Sequence, residues 1–171
     1  MAGAMSGELL ELLQEIHRFT WDQEYWFLPL ARALEGIGPA QAAWQPPGGG
    51  NTIWQTLRHL NYYNERYLRR FNGLPLEPAL PNNDATFSDP GDPADLEGWQ
   101  SAVRQAHEIA AGYDKLLAEL PGRDPEQPLE KGTLGELLPA LAHIFVHNAY
   151  HTGQIVLLRK MQQSWPAHRD A

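Results

Sequence analysis

Hydrophobic residues recur every three or four positions along four stretches of the chain, the spacing that gives an α-helix one buried face. The first stretch covers residues 6–35, with Ser6 as its candidate N-cap, and it ends in the GIGP of residues 36–39. Pro29 conflicts with an uninterrupted helix and should kink it or divide it in two. The pattern therefore predicts a first helical segment of one or two pieces.

The second helix is predicted from its capping signals as well as its pattern. Residues 38–51 form a linker rich in proline and glycine, after which Thr52 and Gln55 match a capping box. The apolar stripe then runs to Phe71, and Asn72-Gly73 ends the helix. Residues 74–92 hold four of the fourteen prolines and are predicted to form a long connection without regular structure.

The third and fourth helices follow this connection. Asp92 and Pro93 look like an N-cap and a first helical residue, so the third helix is predicted from there to about residue 120. Thr133 with Glu136 matches a second capping box, and the fourth helix is predicted to about residue 161. Pro139 lies near the limit of what a helix N-terminus tolerates. With no convincing strand, the sequence predicts an all-α protein, a four-helix bundle in a single domain over residues 1–171.

Composition and charge narrow the classes of function. The net charge is −8 and no cluster of lysine and arginine is present, which argues against nucleic acid as the main partner. The chain has no cysteine, so it can form no disulfide, iron–sulfur cluster or thiol nucleophile of its own. We expect no signal peptide, because the first residues lack its basic and apolar regions, and no apolar run is long enough to span a membrane. We expect a cytoplasmic protein with no membrane partner.

A histidine repeat lies in the fourth helix, in the segment HIFVHNAYH over residues 143–151. His143, His147 and His151 are four residues apart and so share one helix face. Two histidines one turn apart can point their imidazoles at one ion, as in the HExxH helix of zinc proteases. His143 and His151 are separated by about 12 Å of axial rise, which leaves little slack for bonds near 2.1 Å. One of these two is expected to lie outside the ligand set.

A further ligand must come from another helix, and His59 in the segment TIWQTLRHL over residues 52–60 is the best source. His59 lies about 10 Å from the start of the second helix, and His151 about 15 Å from the end of the fourth. These levels nearly agree when the two helices run antiparallel, and they slightly favour His151 over His143. A shared metal ion therefore predicts antiparallel second and fourth helices.

The alternative for any single histidine is a structural role, which we expect for His17, His107 and His168. Glu65 and Glu108 are the acidic candidates for acid–base chemistry on the predicted helices, and both are expected to be surface charges. The repeat and its partner on a second helix make a shared metal site the more specific interpretation.

Two stretches resemble the DinB-like superfamily of metal-binding four-helix bundles. They are NTIWQTLRHLNYYNERYL over residues 51–68, followed by RRFNG, and HIFVHNAYHTGQI over residues 143–155. The resemblance implies an up-down-down-up bundle with a long crossover between helices two and three. It also implies three metal ligands at His59, His147 and His151, with His143 as a neighbour. Family members often have His-Arg-Gly where this chain has His151-Thr-Gly, which could alter how an anionic substrate is held.

The resemblance also carries expectations about activity. It implies a divalent ion, nickel or zinc, and relatives that transfer or isomerise with low-molecular-weight thiols. Three histidines with open positions are typical of a catalytic rather than a closed site. The leading hypothesis is a metal-dependent enzyme that acts with such a thiol on a small-molecule substrate. The alternative is a non-enzymatic metal-binding or stress-response protein with a structural ion, and a DNA-processing protein fits an acidic chain poorly.

The resemblance and the aromatic content together predict a homodimer. The chain has six tryptophans and six tyrosines, and aromatic residues are enriched at protein interfaces. From the sequence alone the same residues could equally fill the core.

Overall fold

The computed structural model describes residues 7–165, and every regular element in that range is helical. Two 3-10 helices lie at Asp84–Phe87 and Leu120–Gly122. The α-helices are α1 (Gly7–Trp21), α2 (Leu30–Leu34), α3 (Pro39–Ala42), α4 (Ile53–Phe71), α5 (Leu96–Glu119), α6 (Leu134–Leu137) and α7 (Pro139–Met161). The all-α prediction is confirmed for the described residues.

The first helical segment is divided, which is one of the two outcomes predicted from Pro29. α1 ends at Trp21, and the chain leaves the helical conformation until α2 begins after Pro29. Pro29 is the N-cap of α2 and has an extended backbone with ψ of 165°. Its missing N–H favours the start of a helix over its interior. The predicted cap Ser6 lies outside the described residues.

α4 begins and ends where its capping signals predicted. The Thr52 hydroxyl accepts the Gln55 backbone N–H at 3.0 Å, and the Gln55 side chain accepts the Thr52 backbone N–H at 2.8 Å. Gly73 follows the helix with φ of +63°, a conformation that favours glycine. The connections on either side hold short helices that the pattern did not predict, α3 in residues 38–51 and a 3-10 helix in residues 74–92.

α5 begins later than predicted, because Asp92 is not its N-cap. Asp95 caps the helix instead, since its Oδ1 accepts the Gly98 backbone N–H at 2.8 Å. Asp92 accepts the backbone N–H of Ala94 at 2.8 Å, the local bond of an Asx turn. The Asp-Pro pair therefore shapes a turn ahead of the helix.

The fourth predicted helix is interrupted at Pro139. Thr133 and Glu136 form the predicted capping box, but α6 ends at Leu137 after about one turn. α7 then starts at Pro139, which cannot donate the backbone hydrogen bond that a continuous helix would need there. The histidine repeat lies entirely within α7.

The contacts between α4 and α7 run in opposite directions. The His59 ring contacts the His151 ring, whereas Asn64, further along α4, bonds to Asn148, which precedes His151 in α7. As the residue number in α4 rises from 59 to 64, the number of the contacting residue in α7 falls from 151 to 148. These two helices therefore pack antiparallel, as the shared histidine site requires.

The contacts between α4 and α5 run in the same direction. Asn61 donates to the Ala102 carbonyl at 2.8 Å, and the Tyr113 hydroxyl donates to the Asn64 carbonyl at 2.8 Å. A parallel pair of consecutive helices needs a connection that returns along their length. Residues 74–92 provide that connection and pass the histidine cluster on the way.

Two hydrophobic clusters form the core. The first surrounds Trp54 and Trp99 and joins α2, α4, α5 and the end of α7. The second surrounds Tyr113 and Phe145 and joins α1, α5 and the first half of α7. Polar residues such as Asn64 lie where the clusters meet, around a small cavity that both clusters line. No helix among residues 7–165 is long and apolar enough to cross a membrane.

Candidate metal centre

Three histidines converge where α4 packs against α7. One nitrogen of each of His59, His147 and His151 lies within 4.8 Å of those of the other two. His59 and His151 are buried and His147 is half-buried. His143 is exposed and does not belong to the group. The described part of the chain thus contains a three-histidine group that could hold a metal ion.

The distance between two of these nitrogens suits a shared ion. His59 Nε2 and His147 Nε2 are 3.0 Å apart. Two nitrogens bound at about 2.1 Å to one ion, at angles of about 90–109°, are separated by about 3.0–3.4 Å. The donor set, three imidazoles, suits zinc, nickel, copper or iron. The residues present therefore fit a divalent transition metal.

The outer nitrogen of His59 is held by the connection between α4 and α5. Thr86 Oγ1 donates its proton to the Asn83 carbonyl at 2.6 Å and lies 2.7 Å from His59 Nδ1. Because that hydroxyl proton is already used, Thr86 accepts from His59 Nδ1–H. The lone pair of His59 is then on Nε2, the atom that faces the cluster. Such a partner fixes the tautomer and orientation of a ligand histidine.

His151 is oriented in the same way by a residue one turn along α7. His151 Nδ1 lies 2.7 Å from the side-chain oxygen of Gln154. An amide oxygen only accepts, so His151 Nδ1 carries the proton and Nε2 keeps its lone pair. Two of the three imidazoles are thereby fixed in the tautomer that leaves Nε2 free to bind an ion.

His147 is the least supported of the three. Its Nδ1 is buried and has no hydrogen-bond partner among the described residues. A buried polar atom left unpaired costs about 1–3 kcal/mol. The position of His147 is instead fixed through its neighbour Asn148, which joins this turn of α7 to Asn64 of α4 by two amide hydrogen bonds.

The environment keeps the three imidazoles neutral at pH 7. Burial, with smaller contributions from the charges of His151 and His147, lowers the pKa of His59 to about 3. Burial and the charge of His151 lower the pKa of His147 to about 4. Burial also lowers the pKa of His151, against the opposing effect of its bond to Gln154. Neutral imidazole is the form that binds metals.

Aromatic rings enclose one side of the cluster. Phe87, next to Thr86, stacks on the His59 ring with centroids 4.2 Å apart and planes at 14°. Tyr63 meets the His59 and His147 rings edge to face, at 5.0 and 5.9 Å. These contacts limit the rotation of His59 and shield it from water.

A cavity of about 240 Å³ opens beside the cluster. His147 forms part of its wall, and His143 lies one turn further along the same wall. The other walls include Tyr63, Tyr67 and Ala140. We call this space the tyrosine cavity. A larger cavity of about 420 Å³ lies between α2 and α5, and none of the three clustered histidines lines it. Of these two cavities, the tyrosine cavity is the one that a clustered histidine lines.

The other candidate residues lie elsewhere. Glu65 accepts a hydrogen bond from Gln105 at 3.0 Å, Glu108 is exposed, and neither lines the tyrosine cavity. His17 is buried with its Nε2 3.3 Å from the Ala110 carbonyl, and His107 contacts the Trp21 ring. His168 lies outside the described residues.

The position where the sequence departs from the family pattern is buried. Thr152 stands where the resemblance implies an arginine in many relatives, and its hydroxyl donates to the Asn148 carbonyl at 2.8 Å. It thus brings no charge to the site.

Several residues of this centre were not identified from the sequence. Thr86 and Phe87 lie in a connection that the helical pattern could not interpret. Gln154, three residues after His151, could have been found from helical spacing, because positions i and i+3 share a face.

A comparison with models of protein families identifies the family of the chain. The family model of the DinB superfamily matches residues 29–155, a range that includes all three clustered histidines. Comparisons with curated proteins and with solved structures found no significant match. The family match covers well over half of the 171 residues. The chain therefore belongs to the DinB superfamily.

Proposed function

We propose that His59, His147 and His151 bind a divalent metal ion, nickel or zinc, and that the protein is a metal-dependent enzyme. The observation that carries the proposal is the convergence of three neutral imidazoles beside an open cavity. When bound, such an ion lowers the pKa of a thiol or water that reaches it. The role of the chain is to hold the imidazoles neutral and correctly oriented.

We further propose that the reaction transfers or adds a low-molecular-weight thiol. The chain has no cysteine, so a thiol must arrive with the cosubstrate. Tyr63 and Phe87 cover His59 and exclude water from that side of the centre, while the tyrosine cavity leaves the His147 side accessible. A thiol entering there would meet the ion, and its reaction partner would occupy the cavity.

The test is the rate of thiol conjugation to a small electrophile, measured across a panel of thiols with metal-loaded protein. We expect a rate above that of buffer containing the same metal, and loss of that excess in His59→Ala. His107→Ala is the matched control, because His107 packs on Trp21 away from the centre. A metal-loaded protein that gives only the buffer rate with every thiol would contradict the enzymatic proposal.

Burial of two histidines favours a second candidate, a structural ion in a non-enzymatic or stress-response protein. His59 and His151 are only 3% and 7% exposed. X-ray absorption spectroscopy of the metal-loaded protein distinguishes the two proposals. Exchangeable oxygen ligands beside three nitrogens support catalysis, whereas a fourth protein ligand supports a structural ion.

We also propose that the four long helices, α1, α4, α5 and α7, form an up-down-down-up bundle in a single domain. The antiparallel α4–α7 and parallel α4–α5 contacts support this arrangement. His17 in α1 lies beside Ala110 in α5, and Trp21 beside His107, so α1 and α5 run in opposite directions.

The partner in solution is proposed to be a second copy of the chain. α7 exposes large apolar side chains along one side: Val146 is 60%, Tyr150 65% and Leu157 58% exposed. Gly153 lies between them, and a Cβ added there would meet nothing within 4 Å. Glycine inside a helix costs about 0.5–1 kcal/mol relative to alanine. Within the chain itself, no steric conflict requires glycine at position 153. Close packing against the same face of another copy would explain both the exposed apolar side chains and the glycine. Residues 139–158 also carry no Asp, Glu, Lys or Arg that would oppose such packing.

A further inference from the structure

The walls of the tyrosine cavity are aromatic, aliphatic or neutral. Tyr63 and Tyr67 of α4 face Ala140 and Ile144 of α7 across it. The Tyr63 hydroxyl donates to Asn83 Oδ1 at 3.2 Å and so is already paired. The cavity is therefore mainly an apolar space, bounded at one end by a candidate metal ligand, His147.

Cationic side chains are missing from this cavity. None of the described residues that line it is lysine or arginine. Arg70 stacks over the Tyr67 ring, 5.4 Å from its centroid, and does not line the cavity. The polar groups left to face a ligand are the Tyr67 hydroxyl, the His143 imidazole and the Asn83 amide. In the metal-free protein an anion placed among them would gain no counter-charge from lysine or arginine, and a charge that leaves water without a paired charge is unfavourable.

We propose that the tyrosine cavity binds an uncharged, mainly apolar group and selects against carboxylates and phosphates. Its volume of about 240 Å³ corresponds to about eight water molecules at roughly 30 Å³ each, enough for a small aromatic ring with one polar substituent. The tyrosine rings provide flat apolar surfaces, and the hydroxyl, imidazole and amide orient a neutral polar substituent. The substrate class is thus a small uncharged molecule, or a larger one with such an end.

This inference deepens the proposed function, and its test does not depend on the metal. Benzamide and benzoate have nearly the same shape, but only benzoate is charged at pH 8. Binding of each is measured by ligand-observed NMR titration of metal-free protein, so that no ion attracts the carboxylate. We expect the Kd of benzamide to be at least tenfold lower than that of benzoate. Equal affinities, or tighter binding of benzoate, would overturn the inference.

Ala140→Phe fills the cavity from the α7 side and should weaken benzamide binding at least tenfold. Ala111→Phe is the matched control on the exposed side of α5 and should change the Kd less than twofold. Tyr67→Ala, which removes the opposite wall, provides a second test should Ala140→Phe fail to fold by circular dichroism. Unchanged benzamide affinity in the folded cavity variants would overturn the inference.

The two proposals fail in different ways. Wild-type protein that selects benzamide but binds no metal would contradict the proposed function alone. An enzyme that is active when loaded with metal, but whose metal-free form shows no preference between the two probes, would contradict this inference alone.

Discussion

Asn64 and Asn148 pair their side-chain amides in both directions. Asn64 Nδ2 donates to Asn148 Oδ1 at 2.7 Å, and Asn148 Nδ2 donates to Asn64 Oδ1 at 3.0 Å. This pair joins α4 to α7 at the turn that carries His147. It therefore sets the spacing of the two helices beside the candidate metal centre.

Replacing either asparagine by alanine should lower the free energy of unfolding by about 1–3 kcal/mol, because the remaining amide loses both hydrogen bonds to the other asparagine. The double variant should be less destabilised than the sum of the single variants, with a coupling energy of about 0.5–3 kcal/mol. Urea denaturation of the three variants and the wild type measures this. Strictly additive effects would show that the amide pair does not act as a unit.

His151→Ala should abolish stoichiometric metal binding, because His151 is one of the three clustered imidazoles. His143→Ala should retain the metal, since the exposed His143 lies outside the cluster. Elemental analysis of both proteins, made without a polyhistidine tag, measures the difference. Circular dichroism should show that α7 persists in each, because alanine is a good helix former. If His143→Ala lost the metal and His151→Ala kept it, the ligand would be His143, one turn of the helix on each side of His147 having been assigned wrongly.

Thr86→Val should weaken metal affinity by about 10- to 100-fold, because it removes the acceptor that fixes the His59 tautomer. Thr86→Ser keeps the hydroxyl and is the matched control, with affinity close to wild type. Competition with a chromophoric chelator measures both constants. Equal affinity of the valine and serine variants would show that the Thr86 hydroxyl has no part in orienting His59.

The metal-free protein should lose stability on acidification below about pH 6.5. In the folded state the pKa values of His59 and His147 are about 3 and about 4, against 6.5 for an ordinary histidine side chain. The unfolded chain therefore takes up protons between about pH 6.5 and 4 that the folded chain does not, which favours unfolding; above pH 6.5 both states are neutral and this effect vanishes.

The check is urea denaturation at pH 7.5 and pH 5. The double variant His59→Gln/His147→Gln should lose less stability between these values than the wild type. An equal loss in both proteins would assign the acid sensitivity to other groups, such as the buried His17.

Leu157→Glu should dissociate the proposed homodimer, because it places a charge in the exposed apolar face of α7. Leu12→Glu is the matched control, since Leu12 is also exposed, at 51% against 58%, but lies on α1. Light scattering should give about twice the chain mass of 19.2 kDa for the wild type and the control, and the single mass for Leu157→Glu. A monomeric wild type at micromolar concentration would refute the dimer.

The sequence was sufficient for those parts of the fold that depend on local signals. The capping boxes at Thr52 and Thr133 formed as predicted, because their hydrogen bonds join residues three positions apart. Helical spacing and the matching of levels indicated that His59 would meet the histidine repeat, and the family resemblance implied that His147 and His151 would be its neighbours. Pro29 and Pro139 marked real helix boundaries, although the pattern alone did not show where α1 would end.

The supporting contacts of the centre depended on tertiary structure. Thr86 reaches His59 across 27 positions of the chain, and no periodicity in residues 74–92 indicates that a 3-10 helix will place it there. Asp92 has the same cap-forming chemistry as Asp95, and only the folded turn decides between them. The pairing of Asn64 with Asn148 likewise required knowing how the helices were aligned.

The connection that supplies Thr86 and Phe87 should affect the free energy with which the proposed ion binds. These residues belong to a long segment outside the main helices, so the ordering of that segment and the occupancy of the centre are thermodynamically linked. Metal should slow amide hydrogen exchange in residues 83–87 as well as around His59. By the same linkage, changes in the length or stiffness of residues 74–92 should shift metal affinity without touching a ligand, which makes the crossover a means of tuning the site.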